Sequence, residues 1–224
     1  MSGPAAEMLG AEGVSRALVR MLRARVNRHL ARQRALLGLT VAELPDVRAE
    51  NVRATPSPLA ELGEFPVLMV ALEATDGRAT NRTEAPSGSY DELVMLYRVS
   101  VYVWAMGQHY AATQLALQRY VLATRGAIIT GRVLGEPESG TWGEVDLTRL
   151  REQYTDPMEG RDGTGFLAGG WVECDVKAHE LVWTDAAWEG EPQLNQAEVR
   201  AGRVEGVDLT VHPALLDEGP GGMV

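Results

Sequence analysis

Cysteine is almost missing from this 224-residue chain. Cys174 stands alone, which excludes a disulfide framework and a thiolate metal cluster. Its setting, WVECDVKAHELVW, alternates with polar neighbours, so a buried strand position is expected. A nucleophilic role would need a positioned base, and the sequence supplies none that can be placed. Lysine is equally scarce: of 21 basic residues only Lys177 is not arginine, a trace of GC-rich coding, with bidentate ion pairing at interfaces as a second reading. No apolar stretch approaches the roughly 20 residues that cross a bilayer, so no membrane partner is expected. The opening MSGPAAEMLGAEG lacks the basic start and apolar run of a secretory signal, and the protein is expected to stay where it is made. Excess positive charge is lacking too. A net charge of −10 argues against general nucleic-acid binding, which needs a basic surface.

Catalytic signatures are also absent: there is no G-x-S-x-G, Walker, kinase or H-E-x-x-H motif. Gly163-Thr-Gly165-Phe-Leu-Ala168 satisfies the loose G-x-G-x-x-A form, but a dinucleotide site needs a strand before it and a helix after it. Here a charged loop precedes and a strand follows, so this is read as a flexible loop. His29, His109, His179 and His212 sit on separate elements without metal-ligand spacing. Acidic residues fall in loops such as GEPESG and TDAAWEGE and read as solvated surface. No catalytic residue, cofactor or metal is expected, and the chain is read as a non-enzyme.

What is present is periodicity. From Gly13 to Leu37, Val14, Leu18, Leu22, Val26 and Leu30 form an i+4 row, widened by Val19, Met21 and Leu37, which predicts an amphipathic helix ending at Gly38. Arg16, Arg20, Arg23 and Arg34 project opposite that stripe at 100° per residue, and Arg25, Arg28 and Arg32 line its margin. Prolines 45, 56 and 58 forbid a long helix next; a short strand is expected near Val47–Ala54. Phe65–Ala74 reads as a central strand, Thr75–Tyr90 as a long polar loop. Leu93–Ala105 alternates as a long strand antiparallel to the preceding one, with Arg98, Ser100, Tyr102 and Trp104 on its polar row. Gln108–Val133 predicts a second helix through Leu115, Leu122 and Ile129, spaced by seven. Gly135–Gly170 reads as loop-rich. Trp171–Thr184 is a strand with Val172, Cys174, Val176, Ala178 and Val182 on one face and Trp171, Glu173, Asp175, Lys177 and His179 on the other. Val207, Leu209 and Val211 suggest one more strand before a tail.

These elements predict an α+β fold: a small, mostly antiparallel β-sheet packed against two main amphipathic helices, with long loops and an extended C-terminal segment. Residues 1–184 are expected to form a single domain and 185–224 an acidic extension or arm. The arginine-rich first helix admits three readings, namely a solvated face with aliphatic stems over apolar surface, a contact with an acidic face of a neighbouring copy, and a phosphate contact. Trp104 and Trp171 lie on polar rows, where burying an indole requires cover from the same chain or from another subunit. Aromatic and arginine side chains are favoured interface anchors, which makes Arg16, Arg20, Arg23, Arg28, Arg32, Arg82, Tyr90, Trp104 and Trp171 the candidate interface residues.

The order of elements is distinctive: amphipathic helix, Pro-interrupted segment, PVLMVALE, a long polar loop, ELVMLYRVSVYVWAMG, then QHYAATQLALQRYVLATRGAII directly. Across Val14 to Leu134 this resembles the tail terminator proteins of long-tailed bacteriophages and their neck-protein (head–tail joining) relatives, as a pattern without an invariant motif. The resemblance implies a virion protein assembled in the cytoplasm of a bacterial host. It implies a homo-oligomeric ring, usually hexameric, that meets the tail tube protein and the head-completion or neck proteins. The stretch from about Gly135 onward exceeds what compact members of the family need, which leaves room for another neck or tail completion role. A nucleic-acid-binding accessory protein acting through the first helix is the alternative. In a ring, the loop Thr75–Tyr90 and the C-terminal segment are expected to become ordered only on assembly.

Overall fold

The structure, a computed structural model, describes residues 10–58, 62–78, 90–136, 141–160, 163, 165–183, 203–204 and 207–208. The chain divides into two compact units, Met1–Thr184 and Asp185–Val224. The first is an α+β unit of two helices and a curled, seven-stranded mixed sheet in the order β1-β2-β3-β7-β5-β4, with β6 attached to β7. The elements are α1 (Gly10–Leu37), β1 (Val52–Arg53), β2 (Val67–Arg78), β3 (Tyr90–Gly107), α2 (Tyr110–Thr130), β4 (Val133–Glu136), β5 (Thr141–Tyr154), β6 (Met158–Glu159) and β7 (Phe166–Trp183). Every strand pairing here is antiparallel except β1 with β2. In the second unit the described residues are a short antiparallel pair, β8 (Arg203–Val204) and β9 (Val207–Asp208). The expected strand through Val207, Leu209 and Val211 falls partly outside the described residues.

The i+4 row makes α1 what it is. Val14, Leu18, Leu22, Val26 and Leu30 are all buried, each worth about 1.5–3 kcal/mol in removal from water. Gly38 ends the helix with φ +67°, and the Leu39 N–H returns to the Arg34 carbonyl at 3.0 Å, the closure that a left-handed glycine permits. Polar residues of α1 then fasten the Pro-interrupted segment. Asn27 bonds both backbone groups of Val47, each at 2.9 Å. Arg34 is not on the solvated side: its side chain is only 11% exposed and donates to the Leu44 carbonyl and to Asp46. The strand expected near Val47–Ala54 shrinks to two residues after a 3-10 turn at Ala49–Asn51.

Three further expectations are corrected. The apolar repeat Leu115, Leu122 and Ile129 is not the buried face of α2; these side chains are 49%, 43% and 42% exposed. The face on the sheet is Thr113, Leu117, Tyr120, Val121, Ala123, Thr124, Ala127 and Ile128, where small residues let the helix approach closely. The long loop is shorter than expected, because Thr75–Arg78 continue β2 against Val94–Tyr97; residues 79–89 lie outside the described set. Gly135–Gly170 is largely strand: β5 runs for 14 residues. Its alternation is broken by an irregularity between Asp146 and Arg151, so the charged string TWGEVDLTRLREQY carries little period-two signal. Both helices lie on the face of the sheet formed by Val99, Val101, Val103, Val172, Cys174, Val176 and Ala178.

Candidate functional site: the open face of the sheet

The other face of the sheet has no helix over it. Register places its side chains in rows across the strands. Tyr102 stands opposite Trp171, their rings 6.0 Å apart and tilted by 45°. Trp104 stands opposite Gly169, where an added Cβ would lie 2.7 Å from the indole Cζ3; the bare glycine is the seat of the ring. The Trp104 Nε1 is buried and has no hydrogen-bond partner among the described residues. One row further, Met106, Leu167 and Met158 align across β3, β7 and β6, with Met106 and Met158 exposed. At the other edge of the face Leu62, Val67 and Met69 are buried, and Phe65, Tyr102 and Trp104 pack against them. An antiparallel sheet with one solvated face normally carries polar residues there. This one carries aromatic and thioether side chains.

Further along β7 the same face turns ionic. Asp175 is buried between two guanidinium groups, Arg98 Nε and Arg149 Nη1, both at 3.5 Å. Glu173 lies 3.9 Å from Arg98. The two arginine side chains are about half exposed, so each pair alone contributes about 0–1 kcal/mol. Asp146 accepts from the Thr148 hydroxyl and N–H at 2.6 and 2.9 Å, and those bonds hold its carboxyl below the usual range. Trp142 stacks on His179 with centroids 4.4 Å apart. Leu96, Arg132, Glu144, Asp146, Leu147 and Lys177 line a depression of about 320 Å³. Its charges already face one another, with Arg132 3.5 Å from Glu144.

Trp104 and Trp171 thus come together, and the arginines do not join them. Arg16, Arg20, Arg28 and Arg32 are exposed on α1, beyond the helix layer on the opposite side of the sheet. Arg16 pairs with Glu12, and Arg23 donates to the Val52 carbonyl at 2.9 Å. Arg82 and the side chain of Tyr90 lie outside the described residues, although the Tyr90 backbone opens β3 opposite Trp183. The histidines stay apart: His29 on α1, His109 just before α2, His179 on β7, with His212 outside the described set. No group of potential metal ligands forms among the described residues. His29 Nε2 sits 3.1 Å from Thr130 Oγ1, yet the threonine donates its own proton to the Gly126 carbonyl at 2.8 Å, so that hydroxyl is held by the helix and is not activated. Cys174 is buried, and burial, then the Asp175 and Glu173 charges, push its thiol up to about 12; it is an inert core residue. In the G-x-G-x-x-A string, Gly163 and Gly165 have φ of +65° and +143°, and strand β7 follows at Phe166.

One polar site was not anticipated. Glu180 is 2% exposed in the inward row of β7 and accepts from the Tyr97 hydroxyl at 2.8 Å and the Gly10 N–H at 2.9 Å. It ties the first turn of α1 to the sheet. The legible signal was a carboxylate two residues past Ala178 in an otherwise apolar row.

Together the sheet and its two helices define an α+β protein in two layers, whose most distinctive surface is a half-buried aromatic face with no helix over it. No protein-family model matches the chain, and no curated protein matches it.

Proposed function

We propose that this chain is a structural virion protein that closes into a ring at the tail end or head–tail junction of a long-tailed bacteriophage, in the role of a tail terminator. The observation that carries the reading is the sheet face without a helix over it, where half-buried Tyr102, Trp104, Trp171 and Leu167 and exposed Met106 form one apolar surface. A two-layer fold buries one face of its sheet, and a second apolar face is stable in water only at a cost that a covering protein removes. The succession of amphipathic helix, antiparallel strand pair and second helix supports the same reading through its resemblance to the terminator pattern. A ring needs a heterologous interface, one patch meeting a different patch on the next copy, and stable contacts bury more than about 1,200 Å².

Native mass spectrometry and negative-stain microscopy of the full chain, alone and mixed with uncapped tail tubes, test this. Closed rings, or density capping one tube end, are the expected result. A monomer in both conditions that leaves the tube ends bare overturns it.

A further inference from the structure

The helix layer has a charge unlike that of the chain as a whole. α1 and α2 hold nine arginines against one acidic residue, Glu12. That is +8 in a chain of net charge −10, which leaves −18 on all other residues. Arg16, Arg34 and Arg125 are neutralised in place by Glu12, Asp46 and Glu152. Arg20, Arg28 and Arg32 are exposed, and the described residues give them no ion pair.

The same layer exposes the apolar seam Leu115, Leu122 and Ile129, opposite the face of α2 that lies on the sheet. The packing of the helices fixes where seam and cations meet. Gly131 faces Met21 and Arg25, Gly126 faces His29, and the Arg119 carbonyl accepts from Gln33. The helices therefore run antiparallel: Arg32, between His29 and Gln33, stands at the level of α2 between Gly126 and Arg119, where Leu122 projects, and Arg28 stands one residue beyond His29, toward Ile129. A solvated face has no use for a leucine seam at seven-residue spacing. A phosphate backbone selects cations without an apolar centre. An apolar centre with a charged rim is the anatomy of a protein interface.

We propose that the α1–α2 surface centred on Leu122 and rimmed by Arg28 and Arg32 docks an acidic face of a second copy of this chain. The inference rests on the ring reading and names one of the two patches it requires. Charge complementarity selects the occupant: outside its helices every copy carries −18, enough to steer and orient a basic patch on its neighbour.

Sedimentation equilibrium of the full chain at low and high salt is the test, with R28E/R32E, R28K/R32K and L122S as variants. All three positions changed, Arg28, Arg32 and Leu122, carry exposed side chains, and circular dichroism checks that each variant is folded. Self-association is expected to weaken at least about tenfold in R28E/R32E and in L122S, to persist in R28K/R32K, and to weaken with salt. Undiminished association in both disruptive variants overturns this surface and leaves the ring reading standing. A wild-type protein that never associates, even on tail tubes, overturns the ring reading and this surface with it. Salt-sensitive binding of duplex DNA that R28E/R32E abolishes, with self-association untouched, assigns the surface to nucleic acid and overturns the proposal.

Discussion

Glu180 is a carboxylate in an apolar row, and what keeps it there is a pair of donors brought from far along the chain. The Tyr97 hydroxyl and the Gly10 N–H both reach its Oε1, so a buried acceptor is satisfied and the start of α1 is fixed. Tyr97→Phe removes one donor and leaves the carboxylate short of partners, at a cost of about 1–3 kcal/mol. Urea denaturation of the variant measures that loss, and an unchanged midpoint would show the bond to be idle. The same environment sets an alkaline limit. Burial, then the hydrogen bond and charge of Glu180, push the Tyr97 phenol well above its ordinary 10.0. Burial and two neighbouring carboxylates push the Cys174 thiol from 9.0 to about 12. Both groups are held neutral by the fold, so the unfolded chain releases protons that the native chain retains. Their contribution is complete below the ordinary values and is lost as pH climbs toward the folded ones. Stability is therefore expected to be level up to pH about 9 and to fall between about 9 and 12, less steeply above pH 10 in Tyr97→Phe.

At the scale of elements, two adjacent glycines in β7 serve opposite faces. Gly169 leaves room for the Trp104 ring, while a Cβ on Gly170 would lie 2.9 Å from the Gln153 carbonyl oxygen and 3.1 Å from Val121 of α2. An indole with one open side can swing away; a paired backbone and a packed helix cannot. Gly170→Ala is thus expected to cost about 1–3 kcal/mol by overpacking. Gly169→Ala should instead displace Trp104, altering near-ultraviolet circular dichroism more than the urea midpoint. Equal stability losses in the two variants would contradict the assignment of faces. These glycines also show why part of the fold was illegible. In the sequence, DGTGFLAGG reads as a chain of breaks, because a glycine that admits a ring or a helix is indistinguishable from one that makes a turn. The row of α1 and the alternation of β3 and β7 were legible, since each has a long run facing one core. The α2 face was misread because Leu115, Leu122 and Ile129 offer a cleaner repeat than Ala123, Thr124 and Ala127, which pack by being small. Of the candidate site, Trp104 and Trp171 were visible as misfits on polar rows. Glu180 showed only as a carboxylate in an apolar row; its role was hidden, because its partners come from Gly10 and Tyr97, which nothing local connects to it.

For the molecule as a whole, the two exposed surfaces differ in what their covering would change. The helix layer has arginines and aliphatic side chains but no tryptophan, whereas Trp104, Trp142 and Trp171 lie on the open sheet face. Burial of that face by another protein removes the remaining water from these half-buried indoles. Tryptophan emission should therefore move to shorter wavelength, and acrylamide quenching should decline, in step with the rise in mass as the chain is concentrated or added to tail tubes. W104F/W171F should lose most of that change while associating through any surface that does not involve the sheet. Mass rising without a change in emission would mean that copies meet only through the helices and that the aromatic face stays in water within the assembly. That result would remove the observation on which the ring reading rests, even though the particle formed. A coincident shift would instead tie assembly to the face that the two-layer fold leaves bare.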